Sequence, residues 1–215
     1  MTTSIDTKKI FSTFISFEGI DNCGKTTQIN RLIARLHPLG IRPKVVREPG
    51  GTPISEAIRD ILLNPYFKEM HPHTEILLYS AARAQLVHEH LLPRLEQGEY
   101  IIADRFFDST TAYQGYGRGI DLTVVTTLNR FATHGLLPVK TILIDISPET
   151  AVQRQQNARD RLEEGGVEFF RKVRDGFLAI ARQESQRFVV VDGEQSEEKV
   201  AQAVWQIVQQ VWQLP

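Results

Sequence analysis

A phosphate-binding loop set between a strand and a helix leaves a chain few folds to adopt. Residues Phe14 to Gln28 read F-I-S-F-E-G-I-D-N-C-G-K-T-T-Q. An apolar, β-rich run, Phe14 to Phe17, leads into Gly19-Ile20-Asp21-Asn22-Cys23-Gly24-Lys25-Thr26 and then into a helical pattern. This is a G-x-x-x-x-G-K-[ST] motif in the context that gives it meaning. Gly19 and Gly24 permit backbone angles and close approaches that a side chain forbids. Successive N–H groups then form an anion nest, and the positive end of the following helix adds to it. Lys25 is placed to reach the β- and γ-phosphates of a nucleotide, and the Thr26 hydroxyl to ligate Mg²⁺.

The remaining composition sets bounds. A chain of 215 residues, 41% hydrophobic and 24% charged, suits one globular α/β domain. A net charge of −1 argues against a strongly basic nucleic-acid surface. The single cysteine, Cys23, cannot form a disulfide within the chain. With no secretory pattern at the start, a reducing, cytoplasmic setting is expected. No apolar run is long enough to span a membrane. Residues 1–10 are expected to form a flexible tail, and 11–215 a single domain.

Along that domain strands and helices alternate. A helix is predicted from Lys25 to Leu36, a strand at Lys44 to Arg47, and a helix from Ile54 to Leu63. The longest helical pattern runs from Pro72 to about Gln97, with Pro93 kinking or dividing it. A strand at Tyr100 to Ala103 leads into Asp104-Arg105. A polar, glycine-bearing region follows to Gly119, and Asp121 caps a helix to about His134. A strand at Thr141 to Ile146, a helix opened by Ser147-Pro148-Glu149, a helix at Phe169 to Gln183, a strand at Arg187 to Val191 and a helix from Ser196 to near Trp212 complete the chain. Residues 154–166 are expected to form a short lid. The order predicts a five-stranded parallel sheet with helices on both faces.

In such a sheet ligands sit at the carboxyl ends of the strands. Three polar groups fall there: the phosphate loop, Arg47-Glu48 and Asp104-Arg105. Phosphoryl transfer requires cations around oxygens that gain charge. Asp104 suits a metal-bound water or the acceptor, and Arg105 a bridge between donor and acceptor phosphates; a pair that only stabilises the strand end is the simpler alternative. Arg154, Arg159 and Arg161 suit a closing lid, with surface pairing to Asp160, Glu163 and Glu164 as the competing reading.

Five blocks carry a resemblance over nearly the whole chain: E-G-I-D-N-C-G-K-T-T, R-E-P-G-G-T, S-A-A-R-A-Q, D-R-F-F-D-S-T-T-A-Y-Q-G and L-I-D-I-S-P-E. In order and spacing they resemble the thymidylate kinases, and Arg47 to Thr52 is the most discriminating block. The resemblance implies transfer of the ATP γ-phosphate to dTMP, giving dTDP, with Mg²⁺. By matching position it gives Gly19 to Thr26 to the ATP phosphates and Asp21 to the sugar 3′-hydroxyl. Arg47 and Arg105 fall to the dTMP phosphate, and Arg83 to a thymine carbonyl. Tyr79 stands where the family usually stacks a Phe on thymine. Ser109 and Gln114 fall in the block lining the base pocket. Homodimerisation is also implied.

Two departures stand out. Some members carry a catalytic arginine inside the loop where this chain has Asn22, so the resemblance is to the version that supplies that charge from the lid. Cys23 occupies a position that is usually small, read here as a neutral filler, with a redox role as the alternative. His71-x-His73 and His88-x-His90 are read as surface pairs, since residues two apart on a helix diverge. A deoxynucleoside or other small-molecule kinase is the nearest alternative function, but it offers Arg47 and Arg105 no acceptor phosphate. A switch-type NTPase is the alternative from another class; no N-K-x-D block supports it.

Overall fold

The computed structural model describes residues 8–155 and 166–215. Five strands, β1 (Lys9–Glu18), β2 (Lys44–Arg47), β3 (Ile101–Asp104), β4 (Leu136–Asp145) and β5 (Phe188–Asp192), form one parallel sheet in the order β2-β3-β1-β4-β5. The architecture is the P-loop NTPase type of α/β fold. The helices are α1 (Lys25–Leu36), α2 (Pro53–Leu63), α3 (Pro72–Leu86), α4 (Leu92–Glu96), α5 (Phe107–Thr110), α6 (Leu122–Thr133), α7 (Pro148–Gln153), α8 (Gly166–Gln183) and α9 (Glu197–Val211).

The central strand shows why the sheet is covered twice. Side chains alternate across β1, so Ile15 and Phe17 enter one core with Leu32, Ile144, Phe177 and Val204, from α1, β4, α8 and α9. Phe14 enters another with Val46, Leu86, Leu91 and Phe106. All three β1 residues are fully buried, each worth about 2 kcal/mol of transfer free energy. Side-chain caps open several of the helices: Thr52 accepts from Ser55 N, Asp121 from Thr123 N, Ser147 from Thr150 N and Ser196 from Lys199 N.

Several boundaries differ from expectation. β1 begins at Lys9, so residues 9 and 10 are strand and not tail; Lys9 and Ile10 pair with Leu136 and Leu137. β4 correspondingly begins five residues before Thr141. The long helix divides one turn ahead of Pro93, at a π-helical turn, Val87–Leu91, which absorbs the register change a missing N–H imposes. The glycine-bearing stretch before Gly119 is helical, as α5 and a π-helical segment, Thr111–Gly117. Close packing overrides its weak helix propensity: a Cβ on Gly115 would meet Leu122 at 2.7 Å, and one on Gly117 would meet Phe169 at 2.7 Å. The lid falls almost wholly outside the described residues.

Candidate active site

Strand register places the three polar groups in one row. Asp104 pairs with Phe17 of β1 on one side and with Arg47 of β2 on the other. Arg105 N donates to Phe17 O at 3.0 Å, and Glu48 N to Asp104 O at 3.1 Å. Groups 30 to 90 residues apart in sequence thus share one edge because the strands are short, parallel and in register.

The phosphate loop is held mostly by its own backbone. Gly19 has φ 143°, and a Cβ there would lie 2.5 Å from Ile144 O and 2.6 Å from Cys23 Sγ. Gly24 caps α1 at φ 95°. Asn22 takes a left-handed φ of 62° without being glycine, a cost of about 1 kcal/mol that the closed loop imposes. Lys25 is buried, its Nζ donating to Gly19 O and Ile20 O at 3.2 Å and to Cys23 Sγ at 3.6 Å. Carbonyl oxygens thus hold the ammonium where anionic oxygens are expected. Thr26 Oγ1 donates to Asp104 Oδ2 at 2.9 Å.

Two cavities open from this row. One is lined by Asp21, Asn22 and Gly24 to Thr27 of the loop with Arg47, Asp104 and Arg154. The other is lined by Tyr79, Arg83, Phe106, Ser109, Tyr113 and Gln114. Asp21, Glu48, Arg59 and Arg105 line both, so the cavities meet at two carboxylates and two guanidinium groups.

Arg105 is the hub. Its Nη1 donates to Gly19 O at 2.8 Å and Ser109 Oγ at 3.0 Å, and its Nη2 to Asp21 and Tyr113. Its own φ is 72°, so the turn after β3 aims it back at the loop. Tyr113 donates to the second Asp21 oxygen at 2.7 Å. Burial disfavours the Asp21 carboxylate, but the Arg105 and Lys25 charges and those hydrogen bonds outweigh it and hold its pKa below the usual range.

Arg83 is 2% exposed. Its Nε donates to Glu48 at 2.7 Å, Nη1 to Asn129 at 3.2 Å and Nη2 to Thr110 at 2.9 Å. Burial raises the Glu48 pKa, against the pull of Arg83. Arg47 is half exposed and pairs with Glu56 at 3.0 Å. Glu56 also accepts from Gly51 N at 2.7 Å, which with the Arg47 charge keeps its pKa low. Arg154 donates to Gly193 O at 3.1 Å and lines the loop-side cavity. Arg159 and Arg161 lie outside the described residues. His71 accepts from His73 N and caps α3.

Sequence reasoning missed four groups that the fold brings here. Arg59 on α2 lines both cavities and donates to Pro49 O at 3.0 Å; one arginine on an amphipathic helix gave no signal. Tyr113 was hidden in a stretch not predicted to be helical. Glu48 was named only as the neighbour of Arg47. Glu18 was legible, because a carboxylate ending the run F-I-S-F is out of place in a buried strand. It is fully buried and accepts from Phe106 N at 2.8 Å and Ser109 N at 3.3 Å, with Ser109 Oγ at 2.6 Å. Burial, with Asp108 adding, pushes its pKa up to about 7 against the pull of Arg105 and these hydrogen bonds.

The donor set fits a magnesium ion. Thr26 and Asp104 offer hard oxygens beside the loop, and Mg²⁺ takes few protein ligands when phosphates supply others. Among the described residues no cluster of three or more His, Cys, Asp or Glu forms an all-protein metal cage.

Comparison with known proteins agrees with this geometry. The family model described as thymidylate kinase matches residues 17–204. A thymidylate kinase of Caldanaerobacter subterraneus subsp. tengcongensis is 49% identical over 183 residues, covering 85% of this chain and 88% of its own. One from a Thermoanaerobacter species is 47% identical over 196 residues, covering 91% and 96%. One from Deinococcus radiodurans is 45% identical over 197 residues, covering 91% and 95%. Likeness of that extent, spanning every element that lines the two cavities, means that the chain belongs to the thymidylate kinase family, a family of nucleoside monophosphate kinases and hence of phosphotransferases.

Proposed function

We propose that this enzyme transfers the γ-phosphate of ATP to dTMP, giving dTDP and ADP, with Mg²⁺. The observation that carries the reading is the junction of the two cavities: an anion-binding backbone loop and an aromatic-walled pocket meet at Arg105. A nucleoside monophosphate has the shape for the second cavity and the charge for the junction.

The roles follow from position. The loop, Gly19 to Thr26, binds the ATP phosphates, and Lys25 exchanges its carbonyl partners for phosphate oxygens. Tyr79 stacks on the thymine, while Arg83, Ser109 and Gln114 line its edge. Asp21 accepts from the sugar 3′-hydroxyl. Arg47, Arg59 and Arg105 bind the acceptor phosphate and orient its oxygen for in-line attack. Thr26 and Asp104 would hold the metal ion, which when bound neutralises charge on the donor phosphates. Arg154, with Arg159 and Arg161 from the lid, supplies the further positive charge that Asn22 does not, and lid closure excludes water from the transfer. No covalent enzyme intermediate is needed.

Thymidine and dTMP separate this reading from a deoxynucleoside kinase. With Mg²⁺ and ATP, dTMP is expected to give dTDP and thymidine to give no dTMP. Phosphorylation of thymidine in preference to dTMP would overturn the assignment of the three arginines.

A cytoplasmic homodimer completes the proposal. Ile54 and Ile61 on α2, Leu77 on α3, and Val124 and Phe131 on α6 are exposed. α3 packs against both other helices, and exposed apolar groups on neighbouring helices are the kind a second copy covers. Light scattering is expected to give the dimer mass, with Phe131→Asp shifting it toward the monomer.

A further inference from the structure

Gln114 lines the acceptor cavity from the π-helical segment. Its Nε2 donates to Glu75 Oε1 at 2.9 Å. Glu75, on α3, is 1% exposed. An ionised carboxylate has no proton to give. The Gln114 amide therefore turns its NH₂ toward Glu75, which leaves its carbonyl oxygen for the other side. Arg118 closes on the same carboxylate, Nε to Oε1 at 3.2 Å and Nη2 to Oε2 at 3.4 Å, giving a buried anion the charge partner it requires. The Arg118 guanidinium in turn lies 4.7 Å from the centre of the Phe169 ring on α8. The Gln114 carbonyl accepts no hydrogen bond from the described residues.

We propose that Glu75, held by Arg118, is a positioning residue that fixes Gln114 as a hydrogen-bond acceptor toward the base and so selects pyrimidines that carry a proton on N3. The proposal rests on the acceptor reading above, with a pyrimidine in this cavity. Thymine and uracil present N3–H to the amide oxygen. Cytosine presents a bare N3 lone pair, which sets acceptor against acceptor and leaves both desolvated. Flipping the amide brings no relief, because its carbonyl would then face the Glu75 carboxylate. Base selectivity is thus enforced one residue away from the substrate, by a group that never touches it.

The test compares Glu75→Gln with the unaltered enzyme in steady-state assays with dTMP and dCMP. A glutamine at 75 both donates and accepts, so the paired amides can invert. The ratio of kcat/KM for dTMP over dCMP is expected to fall at least about tenfold, mainly through KM, with kcat for dTMP changing less. A merely structural role lowers both substrates alike, so an unchanged ratio in the variant overturns the proposal. Should Glu75→Gln fail to fold, titration of the unaltered enzyme decides. A 3-deaza analogue of dUMP, with C–H in place of N3–H, is expected to bind about tenfold more weakly than dUMP; equal binding overturns it. Failure of the unaltered enzyme to phosphorylate dTMP at all would instead defeat the acceptor reading, and the proposal with it.

Discussion

The donor loop between β1 and α1 is built mainly of backbone, whereas the acceptor cavity is built of side chains from the loops after β1, β2 and β3 and from α2, α3, α5 and the π-helical segment. In the loop, Gly19 and Gly24 set the path, and Lys25 is held by carbonyl groups within six residues of it. In the cavity, Arg83 reaches partners 35, 46 and 27 residues away. A backbone site tolerates side-chain changes that leave its path intact. A side-chain site fails at whichever partner is removed, because each buried donor left without an acceptor costs about 1–3 kcal/mol.

Arg105 belongs to both regions, so its loss provides the harshest test of the comparison. Arg105→Ala is expected to lower kcat/KM for dTMP by about a thousandfold, and steady-state assays against each substrate check it. A loss confined to KM for dTMP would place Arg105 in the acceptor region alone. Arg83→Met comes next. It removes a buried cation from Glu48, Asn129 and Thr110, so KM for dTMP should rise about a hundredfold and Tm should fall, while KM for ATP stays nearly constant. A parallel rise in KM for ATP would erase the distinction between the two regions.

These regions also differed in how far the sequence could be read. The loop was legible because its chemistry is local: one motif, one strand, one helix. The row formed by Phe17, Asp104 and Arg47 was legible in outline, since each motif follows its own strand. Arg59 was not, because α2 lies beside the acceptor cavity only through the packing of α2 on α3. Tyr113 was not, because its helix forms only when Gly115 and Gly117 are pressed against Leu122 and Phe169. Glu18 lay in plain view in the motif's own strand, but its role depends on the backbone of α5, some 90 residues away.

Milder tests sharpen the boundary. Arg47 is half exposed and already paired with Glu56, so Arg47→Ala should raise KM for dTMP about tenfold with ATP binding nearly intact. An equal loss of ATP affinity would move Arg47 into the donor region. Arg159→Ala or Arg161→Ala should lower kcat more than they weaken ground-state binding, since lid charge matters most in the closed transition state. An unchanged kcat in both would sink the role given to the lid.

Glu18 gives the smallest effect, read in stability. Its folded pKa of about 7 lies above the ordinary carboxylate value of 4.5. The folded state therefore holds a proton that the unfolded chain has released over that interval. The resulting stabilisation is full below about pH 4.5, declines as pH rises, and is gone above about pH 7. Glu18→Gln removes that slope, so the Tm of the unaltered enzyme should fall more steeply than that of the variant between pH 5 and pH 7, by about a few degrees. Parallel Tm curves would show that Glu18 does not titrate in that interval.

In the proposed reaction the backbone loop and the side-chain cavity act together, as donor and acceptor sites for one transfer. Product analysis after incubation with ATP, Mg²⁺ and dTMP tests it most directly. Equal amounts of dTDP and ADP are expected, with little inorganic phosphate and little turnover when dTMP is withheld. ADP and inorganic phosphate formed at the same rate with or without dTMP, and no dTDP, would contradict it.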